Sequence, residues 1–173
     1  MDEHELRNMM YTAQLPGKGA VVIRYPRGLS VHADWQNEFE ELPVGRGRCV
    51  REGSDVAILS IGHIGNAALA AAEQLAGEGV SAAMYDMRYL KPLDTELLDR
   101  IFAAGYRRIV TVEDGVRNGG FGSAVAEYMA AAGIRDLELR ILGLPDEFVT
   151  HGPVPQLHKD CGIDAGSIVA ASK

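Results

Sequence analysis

Residues 108–130 restrict this chain more than any other stretch. Ile109, Val110, Thr111 and Val112 form a short β-branched run bounded by charge, the pattern of a strand covered on both faces. Gly119, Gly120 and Gly122 crowd into four positions, Ser123 follows, and Ala124, Val125, Tyr128 and Met129 recur at helical spacing. The stretch reads as buried strand, glycine turn and helix. Glycine is needed where φ is positive or where backbone must come close to a neighbour. A strand leading through such a turn to a helix N-terminus is also how α/β proteins hold anions. Neither G-x-G-x-x-G nor G-x-x-x-x-G-K-[ST] is met, and Glu113 and Asp114, just ahead of the turn, would repel a phosphate. Two readings stand: a tight βα turn with close helix packing, or a loop at the carboxyl end of a strand where open α/β sheets place ligands or partners.

The same alternation runs through residues 44–173, in the order β, β, α, β, α, β, α, β and then short helices. It implies a three-layer α/β domain, with a five-stranded, mostly parallel sheet covered by helices on both faces. Residues 45–53 alternate and end in a Glu-Gly turn, which predicts an antiparallel edge strand joined by a hairpin to the apolar strand at 55–61. Gly62-His-Ile-Gly65 is a second strand-to-helix turn, opening a helix at 66–77. A strand follows at 82–86. Asp94 is a natural N-cap for a helix carrying Leu97, Leu98, Ile101 and Phe102. The last strand is expected at 137–142, an irregular loop at 144–153, and helices at 155–161 and 164–171.

Ahead of this domain, Leu6, Met9, Met10 and Ala13 predict a helix over 2–13. Residues 20–25 predict a strand stopped by Pro26 and Gly28. One helix and one strand cannot bury their own apolar faces, so residues 1–28 read as the last αβ unit of a larger domain. Residues 29–43, polar and without period, read as a linker across a surface, with Trp35 as a packing anchor.

Composition removes several function classes. The 173 residues suffice for one domain with a core and little more. A net charge of −7 argues against a general nucleic-acid surface or an anionic-membrane surface. No apolar run approaches a spanning helix and no signal-peptide pattern opens the chain. Cys49 and Cys161 lack metal-ligand spacing and fit reduced thiols in a cytoplasmic protein.

Few residues invite chemistry. Ser60, His63 and Asp86 could be drawn as a triad, but no G-x-S-x-G elbow supports it. The five histidines show no H-x-x-x-H or H-x-x-E-H pattern, so no metal centre is expected. His63 and His151 read first as loop-fixing residues. Asp86 and Arg88, just after a strand, fit an ion pair in a turn. Arg24 and Arg27 flank a Pro turn at a strand end, where two guanidinium groups could grip a phosphate. A surface ion pair to the acidic linker explains them equally well.

A resemblance bears on these choices. Arg24-Tyr-Pro-Arg-Gly28, Leu42-Pro-Val-Gly-Arg-Gly47, Asp86-Met-Arg-Tyr-Leu-Lys-Pro-Leu-Asp94, Val112-Glu-Asp, Gly119-Gly-Phe-Gly-Ser-Ala-Val125, Gly143-Leu-Pro-Asp-Glu-Phe148, His151-Gly152 and Gly162-Ile-Asp164 stand in the right order across nearly the whole chain. So does the opening Asp2-Glu-His-Glu-Leu-Arg-Asn-Met-Met-Tyr-Thr-Ala13. The chain resembles the carboxyl-terminal part of the 1-deoxy-D-xylulose-5-phosphate synthases, thiamine-diphosphate enzymes of the transketolase group. The Lys-Pro-Leu-Asp and Gly-Gly-x-Gly-Ser turns are shared with transketolases and 2-oxo-acid dehydrogenase β chains, whereas Arg24-Tyr-Pro-Arg-Gly28 with Gly-Leu-Pro-Asp146 points to the synthases.

The resemblance implies a transketolase C-terminal domain at 44–173, preceded at 1–28 by the end of a pyrimidine-binding domain. It implies a part in condensing pyruvate with glyceraldehyde 3-phosphate, with loss of carbon dioxide, and a homodimeric assembly. Arg27 would lie near the acceptor phosphate, with Arg24 beside it. Thiamine diphosphate and magnesium would belong to the full-length enzyme. This sequence contains no Gly-Asp-Gly motif and no match to the segment of the activating glutamate. The fragment alone is therefore expected to hold no cofactor, to have no catalytic residue of its own, to need the missing thiamine-binding domains as partners, and to be inactive. Two other readings remain: a non-catalytic interaction module of the same fold, or a 2-oxo-acid dehydrogenase β-type domain.

Overall fold

The computed structural model describes residues 1–29 and 37–173. Trp35 lies outside the described residues. Helix α1 (Glu3–Ala13) starts on Asp2, whose side chain accepts from the Glu5 N–H. Then come β1 (Arg48–Arg51), β2 (Val56–Ile61), a 3₁₀ turn (Gly62–Ile64), α2 (Gly65–Gly77), β3 (Ala82–Asp86), α3 (Thr95–Ala103), β4 (Arg108–Val116), α4 (Phe121–Ala131), β5 (Glu138–Leu144), α5 (Val154–Asp160) and α6 (Ala165–Ser172). The sheet order is β1-β3-β2-β4-β5, with β1 antiparallel and the rest parallel.

Alternate residues of the central strands face opposite layers. Val56 and Ile58 of β2 join Met84, Val110 and Val112 under α2 and α6. Ala57 and Leu59 join Ala83, Tyr85 and Ile109 under α3 and α4. Both faces are dry because each βα crossover returns a helix to the sheet. Each fully buried Leu, Ile or Phe contributes roughly 1.5–3 kcal/mol of transfer free energy, so this double core carries the domain. Asp94 caps α3 by accepting from the Leu97 N–H, as expected, and also accepts from the Gly47 N–H.

Two expectations need correction. Residues 20–25 form no strand: the segment is irregular and unpaired, and Val22 is 96% exposed. A strand requires a hydrogen-bonding neighbour, and none of the five strands supplies one. The antiparallel edge strand is present, but it pairs with β3, not by a hairpin with β2. Both edges of β2 are already taken by β3 and β4. The connection from β1 to β2 is instead tied to the start of β3: the Ser54 and Asp55 N–H groups donate to the Ser81 carbonyl, and the Ser81 N–H donates to Asp55. β4 and β5 also run beyond the predicted ends, with an irregularity in their pairing between Val112 and Val116.

The crossing over β3 leaves no room at Gly53, where a Cβ would collide with the backbone of Ala82 and Ala83. Backbone on both sides cannot yield as a side chain can. Gly53→Ala is expected to destabilise the chain by about 1–3 kcal/mol, read as a lowered midpoint in urea unfolding, whereas Gly77→Ala, with open space around it, should not do so.

Candidate functional site

The functional end of an open α/β sheet lies at the strands' carboxyl ends, at points where neighbouring strands send their helices to opposite faces. Here β2 leads to α2 on one face, while β3 and β4 lead to α3 and α4 on the other. Two crevices therefore open, one on each side of β2.

The crevice between β2 and β3 is filled by charge from α1. Glu5 is buried and receives the N-terminal ammonium at 2.6 Å, Arg88 Nε at 2.5 Å and Arg48 Nη2 at 3.3 Å. Arg48 also lies 3.2 Å from fully buried Asp86. Arg88 adopts φ +56°, a left-handed conformation costing roughly 1–2 kcal/mol, and its contact with Glu5 offsets this. Burial raises the Glu5 carboxyl, but the ammonium, Arg48 and Arg88 outweigh it and bring it down to about 2. Burial, with the Glu5 charge alongside, pushes Asp86 up to about 6.

Ser60, His63 and Asp86, which no sequence motif joins as a triad, do not assemble into one. Ser60 is buried and its hydroxyl donates to the Tyr85 carbonyl, Asp86 belongs to the Arg48 cluster, and His63 turns to Asp114, 3.3 Å away.

The glycine turn after β4 is closed by its own acid. Glu113 reaches forward and accepts from the N–H groups of Phe121 (2.8 Å) and Gly122 (2.9 Å) at the start of α4. Ser123 donates to the Arg117 carbonyl and accepts from the Gly119 N–H. A Cβ at Gly122 would collide with Ile141 and one at Gly120 with Glu113. The helix end that could have held an anion already holds a carboxylate, so this turn does not fit the diphosphate of a thiamine coenzyme.

Beyond the turn, His63, Asp114 and His158 converge from the 3₁₀ turn, β4 and α5. The His63 and His158 rings lie 5.9 Å apart. Burial is the main influence on His63 and lowers its pKa; Asp114 opposes this, while His158, Arg24 and the amino terminus reinforce it. No local motif links the three residues, because each comes from a different element.

Arg24 and Arg27 are both exposed. Neither makes an ion pair or side-chain hydrogen bond among the described residues, and Glu41 of the acidic segment pairs with Lys18. The Arg24 charge is felt at His63. His151 is exposed in the loop between β5 and α5. Among the described residues no helix is long and apolar enough to cross a membrane.

This fold and its turns define a class. Residues 45–168 match the model of the transketolase C-terminal domain, and the chain belongs to that family. Over 97% of its length it is 51% identical to the 1-deoxy-D-xylulose-5-phosphate synthase of Bacteroides fragilis, and over its whole length 51% identical to that of Parabacteroides distasonis. The synthase of Chlorobaculum tepidum is 48% identical over 96%. The chain spans 26%, 27% and 26% of these relatives, about a quarter of their length. A solved structure described as a split-gene transketolase, inactive β4 tetramer, superposes with a TM-score of 0.70 at 34% identity, covering 77% of this chain and 43% of that one.

Two outcomes follow from the charges. Glu113→Ala leaves two buried N–H groups without an acceptor and is expected to cost about 2–4 kcal/mol, measured by urea unfolding, with Glu113→Gln recovering part of it. For the pair in the other crevice the pH dependence has opposite signs. Asp86 contributes fully below pH 3.8 and loses that contribution as pH rises to about 6. Glu5 contributes above pH 4.5 and loses it as pH falls to about 2. Asp86→Asn stays neutral, so its unfolding midpoint should gain on the parent chain as pH rises from 3.8 to about 6. A difference that stays constant across that window would rule this out.

Proposed function

We propose that this chain is the carboxyl-terminal portion of a 1-deoxy-D-xylulose-5-phosphate synthase. The observation that carries the proposal is identity near one half along the entire chain to about a quarter of such enzymes. The reaction would join pyruvate and glyceraldehyde 3-phosphate to give 1-deoxy-D-xylulose 5-phosphate and carbon dioxide, feeding isoprenoid, thiamine and pyridoxal synthesis in the cytoplasm. Thiamine diphosphate, with magnesium, supplies the carbanion chemistry when bound, and it belongs to the domains this chain would join in a homodimer. The fragment alone is inactive.

Three features support an incomplete unit made of a domain remnant at 1–28, a linker at 29–43 and a C-terminal domain from 44. α1 buries Glu5 and Thr12 against this chain, while Leu6, Met10, Tyr11 and Leu15 line an open depression with Phe39. An amphipathic helix that keeps its polar residues inside is waiting for another surface. Residues 37–42 follow α1, with the Glu40 N–H donating to Asn8, the Leu42 N–H to Thr12, and Phe39 stacked on Tyr11. The segment at 20–25 has the composition of a strand without its sheet.

In this reading Arg27 meets the phosphate of the acceptor substrate, with Arg24 in support. Both arginines are exposed and free of ion pairs among the described residues, as a phosphate-binding fork requires. The test joins this chain to the preceding domains of the Bacteroides fragilis relative. Arg27→Ala should lower kcat/KM for glyceraldehyde 3-phosphate by about 10²-fold, the effect of losing a charge-assisted contact of roughly 3 kcal/mol. Turnover of unphosphorylated glyceraldehyde should change little. Equal losses on both substrates would refute the assignment, and carbon dioxide release by the chain alone with substrates, thiamine diphosphate and magnesium would refute its dependence on the other domains.

A further inference from the structure

We propose that His63, Asp114 and His158 form a binding site for a divalent transition-metal ion of the zinc class in the crevice between β2 and β4. All three ligand atoms lie within 4.8 Å of one another, and all three side chains are half-buried. The separation between His63 Nε2 and Asp114 Oδ2 is 3.3 Å. A tetrahedral site with bonds of about 2.0–2.1 Å sets neighbouring donors roughly 3.3 Å apart. This pair therefore already stands at the spacing of two ligands on one ion, and a small shift of His158 completes a three-donor face with a fourth position open to solvent.

The donor chemistry agrees with the spacing. Two imidazoles and one carboxylate suit zinc and its neighbours better than magnesium or calcium, which prefer oxygen. Ligation needs neutral imidazole, and burial holds His63 toward that form. Arg24 and the amino terminus oppose a cation there, but Arg24 is exposed, so solvent screens its charge, and the amino terminus is neutralised by its ion pair with Glu5.

The position explains what an ion would do. α5 buries none of its residues, so apolar packing holds it only weakly. A metal bridging His158 to His63 and Asp114 would fasten α5 to the ends of the two central strands. Histidine spacing along the sequence could not reveal such a site, because its ligands are contributed 51 and 44 residues apart, as the numbering of His63, Asp114 and His158 shows.

The test uses the purified 173-residue chain stripped with a chelator. Zn²⁺ is titrated by calorimetry, and Co²⁺ is followed by its visible absorption, which reports coordination geometry. One ion per chain is expected. His63→Ala, His158→Ala and Asp114→Asn should each weaken binding by at least about tenfold, while His151→Ala should leave it unchanged. Zn²⁺ should raise the thermal midpoint of the parent chain and not that of the His63→Ala, His158→Ala double variant. Circular dichroism confirms that each variant is folded, which its half-buried, surface-edge position permits. Absence of saturable binding by the parent chain would overturn the proposal. So would equal affinity in the double variant, which would place the ion elsewhere. These readouts need no catalysis and stand apart from the assignment of the chain to a synthase.

Discussion

The contact on which the carboxyl end of the sheet depends is the reach of Glu113 across its own turn to the first amides of α4. A helix start exposes unpaired N–H groups with a partial positive charge. Buried against Thr111 and Ile141, those groups could not be left to water. A carboxylate two bonds deep in the turn meets both demands at once, at about 1.5–3 kcal/mol for each charge-assisted bond. The crowding of Gly119, Gly120 and Gly122 follows from this. Gly119 supplies φ +73°, and the other two leave space for the carboxylate and for β5.

The same contact decides what the turn is for. Many strand–glycine–helix turns hold a ligand's phosphate, but here the protein supplies the anion itself, and the turn becomes structural. Whatever function the carboxyl edge serves must use side chains around the turn. Those are His63 and Asp114 beside it, His158 above it, and the arginine segment at 24–27 approaching from outside the domain.

Periodicity made the scaffold legible. β3, α3 with its Asp94 cap, and the helix behind the glycine turn all fall where apolar spacing and capping residues put them. Pairing partners were less legible. The run at 48–51 alternates as an edge strand should, but alternation does not say which neighbour it joins, and the parallel partners of β2 displaced the hairpin. Residues 20–25 have strand composition, yet a strand is a relation between two segments, and none of the described residues pairs with them. The candidate site was hardest to read, because His63, Asp114 and His158 lie on three elements and only the β2-β4 register and the packing of α5 bring them together. Glu113 shows the converse. Its position ahead of the turn was plain, but its effect on a phosphate was only half the matter, since it serves as the turn's own anion.

The two crevices flanking β2 are topologically equivalent but filled differently. Between β2 and β3, α1 inserts Glu5 among Arg48, Arg88 and Asp86, and two buried carboxylates share the partly exposed guanidinium group of Arg48. Isolated buried charges are costly and buried pairs gain little net stability, so this cluster is better understood as fixing where α1 sits than as holding the domain together. Between β2 and β4 no such insertion occurs, and the half-buried imidazoles and carboxylate remain accessible. One crevice is therefore closed by charge brought in on α1, while the other keeps two imidazoles and a carboxylate at its mouth, each contributed by a different element.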